Sequence, residues 1–186
     1  AANRLREACV DQGAALDLVC ADMCSFESSV RFDRIIIPYS GLYVLLDEAR
    51  VSSALKRARD LVSEDGRLAL DVYCADGFHH DARPEDHDDA HLDEVALVAS
   101  GGRVYDVFER SSWDRAGQRM TASYVHRPDG AGEDLVYSIE HHYLLRDQLE
   151  GLLAGAGWAV ESIDGDFCGG DWDRDGDLTV LTARPV

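Results

Sequence analysis

Two segments, Phe32-Asp-Arg-Ile-Ile-Ile-Pro-Tyr-Ser-Gly41 and Glu64-Asp-Gly-Arg-Leu-Ala-Leu-Asp-Val-Tyr73, decide the fold. Ile35, Ile36 and Ile37 form an unbroken apolar run that Pro38 stops. A strand buried on both faces reads this way, because helices cover both sides of a parallel sheet. Between the segments, Leu42, Leu45, Leu46, Ala49, Leu55, Ala58, Leu61 and Val62 recur at roughly helical spacing. Asp65-Gly66 then closes the helical region, and Leu68 to Val72 give a second β-rich run. Strand, crossover helix and parallel strand make one right-handed βαβ unit. Ligands of open α/β sheets bind beyond the carboxyl ends of the strands. Those ends are Pro38-Tyr39-Ser40 and Asp71-Val72-Tyr73, and function is expected there.

The totals narrow the classes. A chain of 186 residues with 46% hydrophobic content suits one α/β domain with a modest insertion. With 36 acidic and 18 basic side chains the net charge is −18. Nucleic-acid phosphate and anionic membrane surfaces both demand Lys and Arg clusters, so neither is expected as a partner. A small or cationic substrate is compatible with that charge, and so is a homodimer. No apolar run approaches the roughly 18 residues that span a bilayer, and no signal peptide is visible. Cys9, Cys20, Cys24, Cys74 and Cys168 are odd in number and scattered, which reads as reduced thiols in a cytoplasmic protein.

Outside the central unit the chain begins with helical spacing at Leu5, Ala8 and Cys9, closed by Asp11-Gln12-Gly13. A short β-type run from Leu16 to Ala21 ends at Asp22-Met23. After Tyr73 the composition changes: Asp76 to Glu94 holds eight acidic residues, one Arg and four histidines. This predicts a mobile lid or surface excursion rather than core. Three extended runs follow, Val104 to Trp113, Met120 to Arg127 and Leu135 to Leu144, separated by Gly- and Asp-containing turns. Leu135, Tyr137, Ile139, His141 and Tyr143 alternate onto one face. An antiparallel meander is expected here. Leu149, Leu152, Leu153 and Ala156 mark a helix that Gly157 closes, and Trp158 to Ile163 and Leu178 to Ala183 read as the last two strands.

In this order the segments resemble a class I S-adenosylmethionine-dependent methyltransferase of the small-molecule type. Ala21-Asp22-Met23 with Phe26, then Phe32 to Pro38, is similar to the ends of that family's third and fourth strands. Leu61 to Asp71 is similar to its fifth strand and the turn before it. Leu149 to Val160, with Ala-Gly-Trp-Ala-Val, is similar to its last helix and sixth strand, and Leu178 to Ala183 to its antiparallel seventh. The resemblance implies a Rossmann-like sheet, mostly parallel with an antiparallel last strand, and an inserted antiparallel meander. The core would be residues 1–74 and 145–186; residues 75–144 would form an acidic lid and insertion over the cleft. The family's glycine-rich loop and acidic ribose-binding residue have no counterpart here, since no Gly-x-Gly precedes Asp22. The sequence is therefore read as the C-terminal part of a longer polypeptide, with roughly 40 to 60 residues of strand, glycine loop, helix and second strand upstream.

The resemblance implies S-adenosylmethionine as cofactor. Asp22 would accept from the adenine amino group, and the Met23 backbone N–H would read a ring nitrogen; otherwise Asp22 is a turn or helix cap. Pro38, Tyr39 and Ser40 lie where the methionine end and the substrate meet, and the Tyr39 ring can face a sulfonium or a cationic amine. Ser40 can equally be a helix cap beside a packed Tyr. Methyl transfer needs in-line positioning and exclusion of water, plus a base if the nucleophile starts protonated. The candidate bases are His79, His80, His141, His142 and Tyr73. His141 leads, because it shares an apolar face with Tyr137 and Tyr143; if that face meets a core, it is a structural histidine. His79, Tyr39 and Tyr137 are expected at the substrate. No metal site is expected. His87-x-x-x-His91 lacks a helical apolar stripe, and Asp171-x-Asp173-x-Asp175-Gly176 lacks the closing Glu of a calcium loop. The expected activity is methyl transfer to a small-molecule N or O nucleophile; the competing reading is a non-catalytic methyltransferase-like binding or assembly module.

Overall fold

The computed structural model describes residues 16–186. The helix expected from Ala1 to Cys9 and its closing turn lie outside these residues.

The βαβ unit forms where the apolar runs place it. Strand β1 (Phe32–Ile37) leads to helix α1 (Glu48–Leu61) and strand β2 (Val62–Tyr73). Ile35, Ile36 and Ile37 of β1 pair in parallel with Leu68, Ala69 and Leu70 of β2. The helix is shorter than the spacing predicts. Leu42 to Leu45 make a tight 3₁₀ turn, Leu46 turns left-handed (φ 67°), and only then does the Asp47 side chain cap α1 by accepting the Arg50 N–H at 2.7 Å. At the other end Val62 already pairs with Phe32, so α1 stops before Asp65-Gly66. Strand pairing overrides helical propensity at that junction. Val51, Ala54, Leu55 and Ala58 form the buried stripe of α1.

Helix α2 (Asp76–Asp81) comes next, with a second 3₁₀ turn at Pro84–Asp86. It opens the stretch expected to be a lid. Its first part is tied to the core rather than free, because Gly77 is buried and Phe78 packs against the central cluster. The insertion holds four strands, not three: β3 (Asp93–Ser100), β4 (Arg103–Asp114), β5 (Arg119–Pro128) and β6 (Leu135–His142). Together they are an antiparallel sheet in the order β3-β4-β5-β6, here sheet B. The acidity before β3 obscures it in the sequence, although Val95-Ala-Leu-Val is β-type. Gly101 and Gly102, both at positive φ, make its hairpin turn to β4.

Helix α3 (Arg146–Gly155), β7 (Trp158–Asp164) and β8 (Leu178–Pro185) complete the chain. Sheet A has the order β1-β2-β8-β7 and is mixed. β1 and β2 run parallel, while β8 lies antiparallel between β2 and β7. Its core joins Leu55, Leu68, Leu70, Leu149, Leu153 and Trp158. The Trp158 indole N–H donates to the Leu55 carbonyl at 2.9 Å, fixing α1 to β7.

The strand expected from Leu16 to Ala21 is irregular instead. A strand persists only with a partner to satisfy its backbone. Correspondingly, the outer edge of β1 has no partner strand among the described residues, and Ile36 is 67% exposed.

Candidate active site

The site starts at the carboxyl ends of β1 and β2. After Pro38, Tyr39 and Ser40 both take left-handed backbone angles (φ 56° and 53°). Non-glycine residues there cost on the order of 1–3 kcal/mol each, and persist only where surroundings over-determine them. Asp71 supplies the constraint. Its carboxylate accepts the Tyr39 N–H at 2.9 Å, and its carbonyl accepts the Ser40 N–H at 3.0 Å. The Ser40 hydroxyl in turn accepts the Tyr73 N–H at 3.1 Å. The turn buries Ser40 and leaves the Tyr39 ring 91% exposed. Ser40 is thus neither a helix cap nor solvated; it locks two strand ends together.

Next to this turn stands an aromatic wall. The Tyr73 ring stacks on His141 (centroids 5.7 Å, 29°) and meets Tyr43 edge-on at 4.9 Å. The buried Tyr43 hydroxyl donates to the Leu144 carbonyl at 3.0 Å. The Tyr73 hydroxyl is buried and has no hydrogen-bond partner among the described residues. Burial, with Tyr143 nearby, raises its phenol far above the ordinary tyrosine range, so it stays protonated and can donate. Burial lowers His141, which keeps its imidazole neutral near pH 7.

His79 is held differently. The Trp113 indole N–H, which can only donate, points at the Tyr143 hydroxyl at 3.0 Å. The same hydroxyl shares a hydrogen bond with His79 Nδ1, 2.9 Å away, in which the His79 tautomer decides the donor. Burial lowers the His79 pKa, and His80 and Arg115 add to the shift. Phe78 links this group to Tyr73 (6.3 Å) and Tyr143 (5.2 Å).

The open edge of β1 borders a mainly apolar cavity of about 510 Å³. Met23 and Phe26 form one side of it, and Ile36, Pro38 and Gly41 the other. Asp22 lies next to it with its carboxylate engaged. One oxygen accepts the Cys24 N–H at 2.9 Å, the other the Arg50 guanidinium at 3.0 Å. These bonds, the backbone one first, hold Asp22 below the usual carboxylate range.

The structure therefore brings Pro38, Tyr39, Ser40, Tyr73 and His141 together, with His79 one aromatic ring away. Met23 shares the cavity with Pro38. Tyr137 lies on the His141 face but farther out, edge-on to His126 at 5.5 Å. His142 alternates to the opposite face of β6, away from Tyr73. His87 bonds the Ser111 carbonyl, and His91 pairs with Asp93. Asp173 accepts the Asp175 N–H within a turn. Sequence reasoning reaches Asp71 only as part of a strand end and Tyr143 only as a neighbour of His141, and it does not reach Tyr43 or Trp113. Asp71 has a signal, a carboxylate closing an apolar strand; the Trp113–Tyr143 bond has none, since it spans two strands.

No family model and no curated protein sequence matches the chain. Solved structures do. An S-adenosylmethionine-dependent methyltransferase from Clostridium acetobutylicum superposes with a TM-score of 0.75 at 11% identity, over 99% of this chain and 70% of that one. The sugar N-methyltransferase KedS8 from Streptoalloteichus gives 0.66 at 20% identity, over 97% and 67%. CalS10 from Micromonospora echinaspora, an amino pentose methyltransferase with S-adenosylmethionine bound, gives 0.59 at 20% identity, over 87% and 62%. The fold is the one these methyltransferases share. The chain spans about two thirds of their length. Sheet B lies in the chain between β2 and α3, where an antiparallel meander is expected.

Proposed function

We propose that the chain carries out S-adenosylmethionine-dependent methyl transfer to a nitrogen or oxygen nucleophile on a small molecule. The observation that carries this reading is the Tyr39–Ser40 turn. Two strained residues are locked to Asp71 and Tyr73 at the carboxyl ends of paired parallel strands, beside a neutral His141. Backbone strain of this kind clusters at ligand sites. The small-molecule N-methyltransferase KedS8 among the structural matches supports an amine acceptor, and the net charge of −18 favours a cationic one.

The residues present fit the cofactor. An apolar cavity of about 510 Å³ suits an adenosyl group, and the buried Tyr73 hydroxyl lacks a partner among the described residues. Asp22 and Met23 would hold the adenine end; Pro38, Tyr39 and Ser40 would hold the methionine end. When bound, S-adenosylmethionine supplies a methyl group on a positively charged sulfur. His141 accepts the acceptor's proton, being neutral and free of hydrogen bonds to its ring among the described residues. Tyr73 stays protonated, so it orients by donating rather than acting as a base. His79 and the exposed Tyr39 ring position the acceptor, and Tyr137 meets only the far end of a long one. Of the described residues, 16–74 and 145–186 would form the transfer core, with 75–144 over the cleft. The four described cysteines are all free, which fits a cytoplasmic setting. No helix among the described residues is long and apolar enough to cross a membrane.

The second reading is a non-catalytic methyltransferase-like module. The Arg50–Asp22 pair favours it, because that carboxylate already has its partners. Calorimetric titration of S-adenosylhomocysteine separates the two. Binding that Asp71→Ala weakens roughly tenfold, about 1.4 kcal/mol, supports the enzyme. No heat with the wild-type chain favours the module.

A further inference from the structure

The turn between β4 and β5 ends on Gln118, which takes a left-handed backbone angle (φ 50°) although Gly117 stands beside it. Glycine is the residue that such an angle favours, and a glutamine there is disfavoured. Its side chain supplies the reason. Gln118 Nε2 donates to the Tyr143 carbonyl at 3.0 Å and to Gln148 Oε1 at 2.9 Å, while Gln118 Oε1 accepts from Gln148 Nε2 at 3.0 Å. Gln148, on the first turn of α3, also accepts the Leu145 N–H at 2.8 Å. The backbone orients both amides. A carbonyl only accepts and an N–H only donates, so Gln118 turns its nitrogen to Tyr143 and Gln148 its oxygen to Leu145. The two amides then meet as complements.

Tyr143 is gripped at both of its backbone polar groups. Its N–H donates to the Gln118 carbonyl at 3.0 Å, and its carbonyl accepts from the Gln118 side chain. The residue is fully buried, and its hydroxyl meets the Trp113 indole N–H at 3.0 Å and His79 Nδ1 at 2.9 Å. Gln118 thus holds the backbone of the ring to which His79 is tied. His141 lies two residues upstream on β6, opposite Met120 of β5. The β4–β5 hairpin, α2 and α3 all converge on Tyr143, beside a cleft of about 720 Å³ that His79, Trp113, Arg115 and Gln118 help to line.

We propose that Gln118 and Gln148 are positioning residues of the candidate site. Clasped amide to amide, they fix Tyr143, and through it His79 and His141, against the transfer core. The purpose of the clasp rests on the methyl-transfer reading, in which those histidines face the acceptor. Neither glutamine lines the cavity assigned to the cofactor.

Nitrogen-15 NMR of the 186-residue chain tests the clasp, because the indoles of Trp113, Trp158 and Trp172 each donate to a different partner and report separately. Gln118→Gly removes one amide where glycine suits the backbone, so the turn persists. Gln148→Met removes the other amide and leaves the Gln118 bond to Tyr143. Both variants should speed hydrogen exchange of the Trp113 indole N–H, Gln118→Gly by roughly fivefold or more and Gln148→Met by less. His79, which Asp76, His80 and Arg115 also face, should titrate closer to an ordinary histidine. Exchange at Trp158 and the affinity for S-adenosylhomocysteine should stay within about twofold of wild type. Trp113 exchange and His79 titration that are unchanged in both variants overturn the proposal. So does Trp158 exchange accelerated as much as that of Trp113, which marks general loosening. A wild-type chain that binds no S-adenosylhomocysteine overturns the methyl-transfer reading instead, and the clasp is judged on the indoles alone.

Discussion

Sheets A and B each have four strands, yet they meet water in opposite ways. In sheet A, β2 and β8 bury alternate residues, and Leu68, Leu70, Val72, Leu181 and Ala183 are all enclosed. In sheet B the buried side chains of β3 to β6 are Val107, Val125 and Pro128. The difference lies in how the strands are connected. Sheet A strands alternate with α1 and α3, which bring apolar stripes back over the sheet. Sheet B strands are joined by short turns, which bring back only another strand. A meander therefore builds a sheet without building the layer that covers it.

The largest effect that sharpens this contrast is in the core of sheet A. Trp158→Ala removes a side chain that is 2% exposed and the bond to Leu55. It should cost about 3–5 kcal/mol in denaturant unfolding. Val136→Ala at an exposed position of sheet B should stay within about 0.5 kcal/mol. Equal costs would break the comparison.

A smaller effect, opposite in sign, is expected where the sheets meet the candidate site. Tyr39→Gly relieves a left-handed residue whose ring packs little, so stability should rise by about 1 kcal/mol. The same change should weaken S-adenosylhomocysteine binding. A variant that loses stability would show that the Tyr39 ring has a packing role the site does not display.

The smallest effect is with pH. Burial lowers His79, His141 and His142, with nearby positive charge adding to the shift at His79 and His142. In the unfolded chain these imidazoles take up protons near about pH 6.5, while the folded chain resists until lower pH. The stability they permit is complete above that value and declines as pH falls below it. His141→Gln should flatten part of the decline between about pH 7.5 and pH 5.5. Asp22 and Asp166 are held below the usual carboxylate range, so their contribution is lost only at more acid pH.

Much of this is legible in the residues. The isoleucine run, Glu-Asp-Gly before β2, and Gly157 before Trp158 each carry local signals strong enough to place an element. β3 is hidden because eight acidic residues in and before its start make the region read as solvated. Leu16 to Ala21 has strand composition but no ladder to join, and composition does not encode a partner. At the site, the strand ends are readable as positions. Their backbone sign is not, because Tyr39 and Ser40 are left-handed only through Asp71, some thirty residues away. The hydrogen bond of His79 to Tyr143 is likewise invisible, since it joins residues far apart in the chain.

β8 sits between β2 and β7, and this placement shapes how the molecule forms. Leu68 faces Ala183 across more than a hundred residues of chain. Until that distant segment arrives, β7 has no neighbour and β2 has only β1. Sheet B, joined by local turns, can close long before. Loop-closure entropy makes such remote pairing slow. The refolding chain should thus pass through a stage in which the outlying meander is formed while the sheet holding the candidate site is still open.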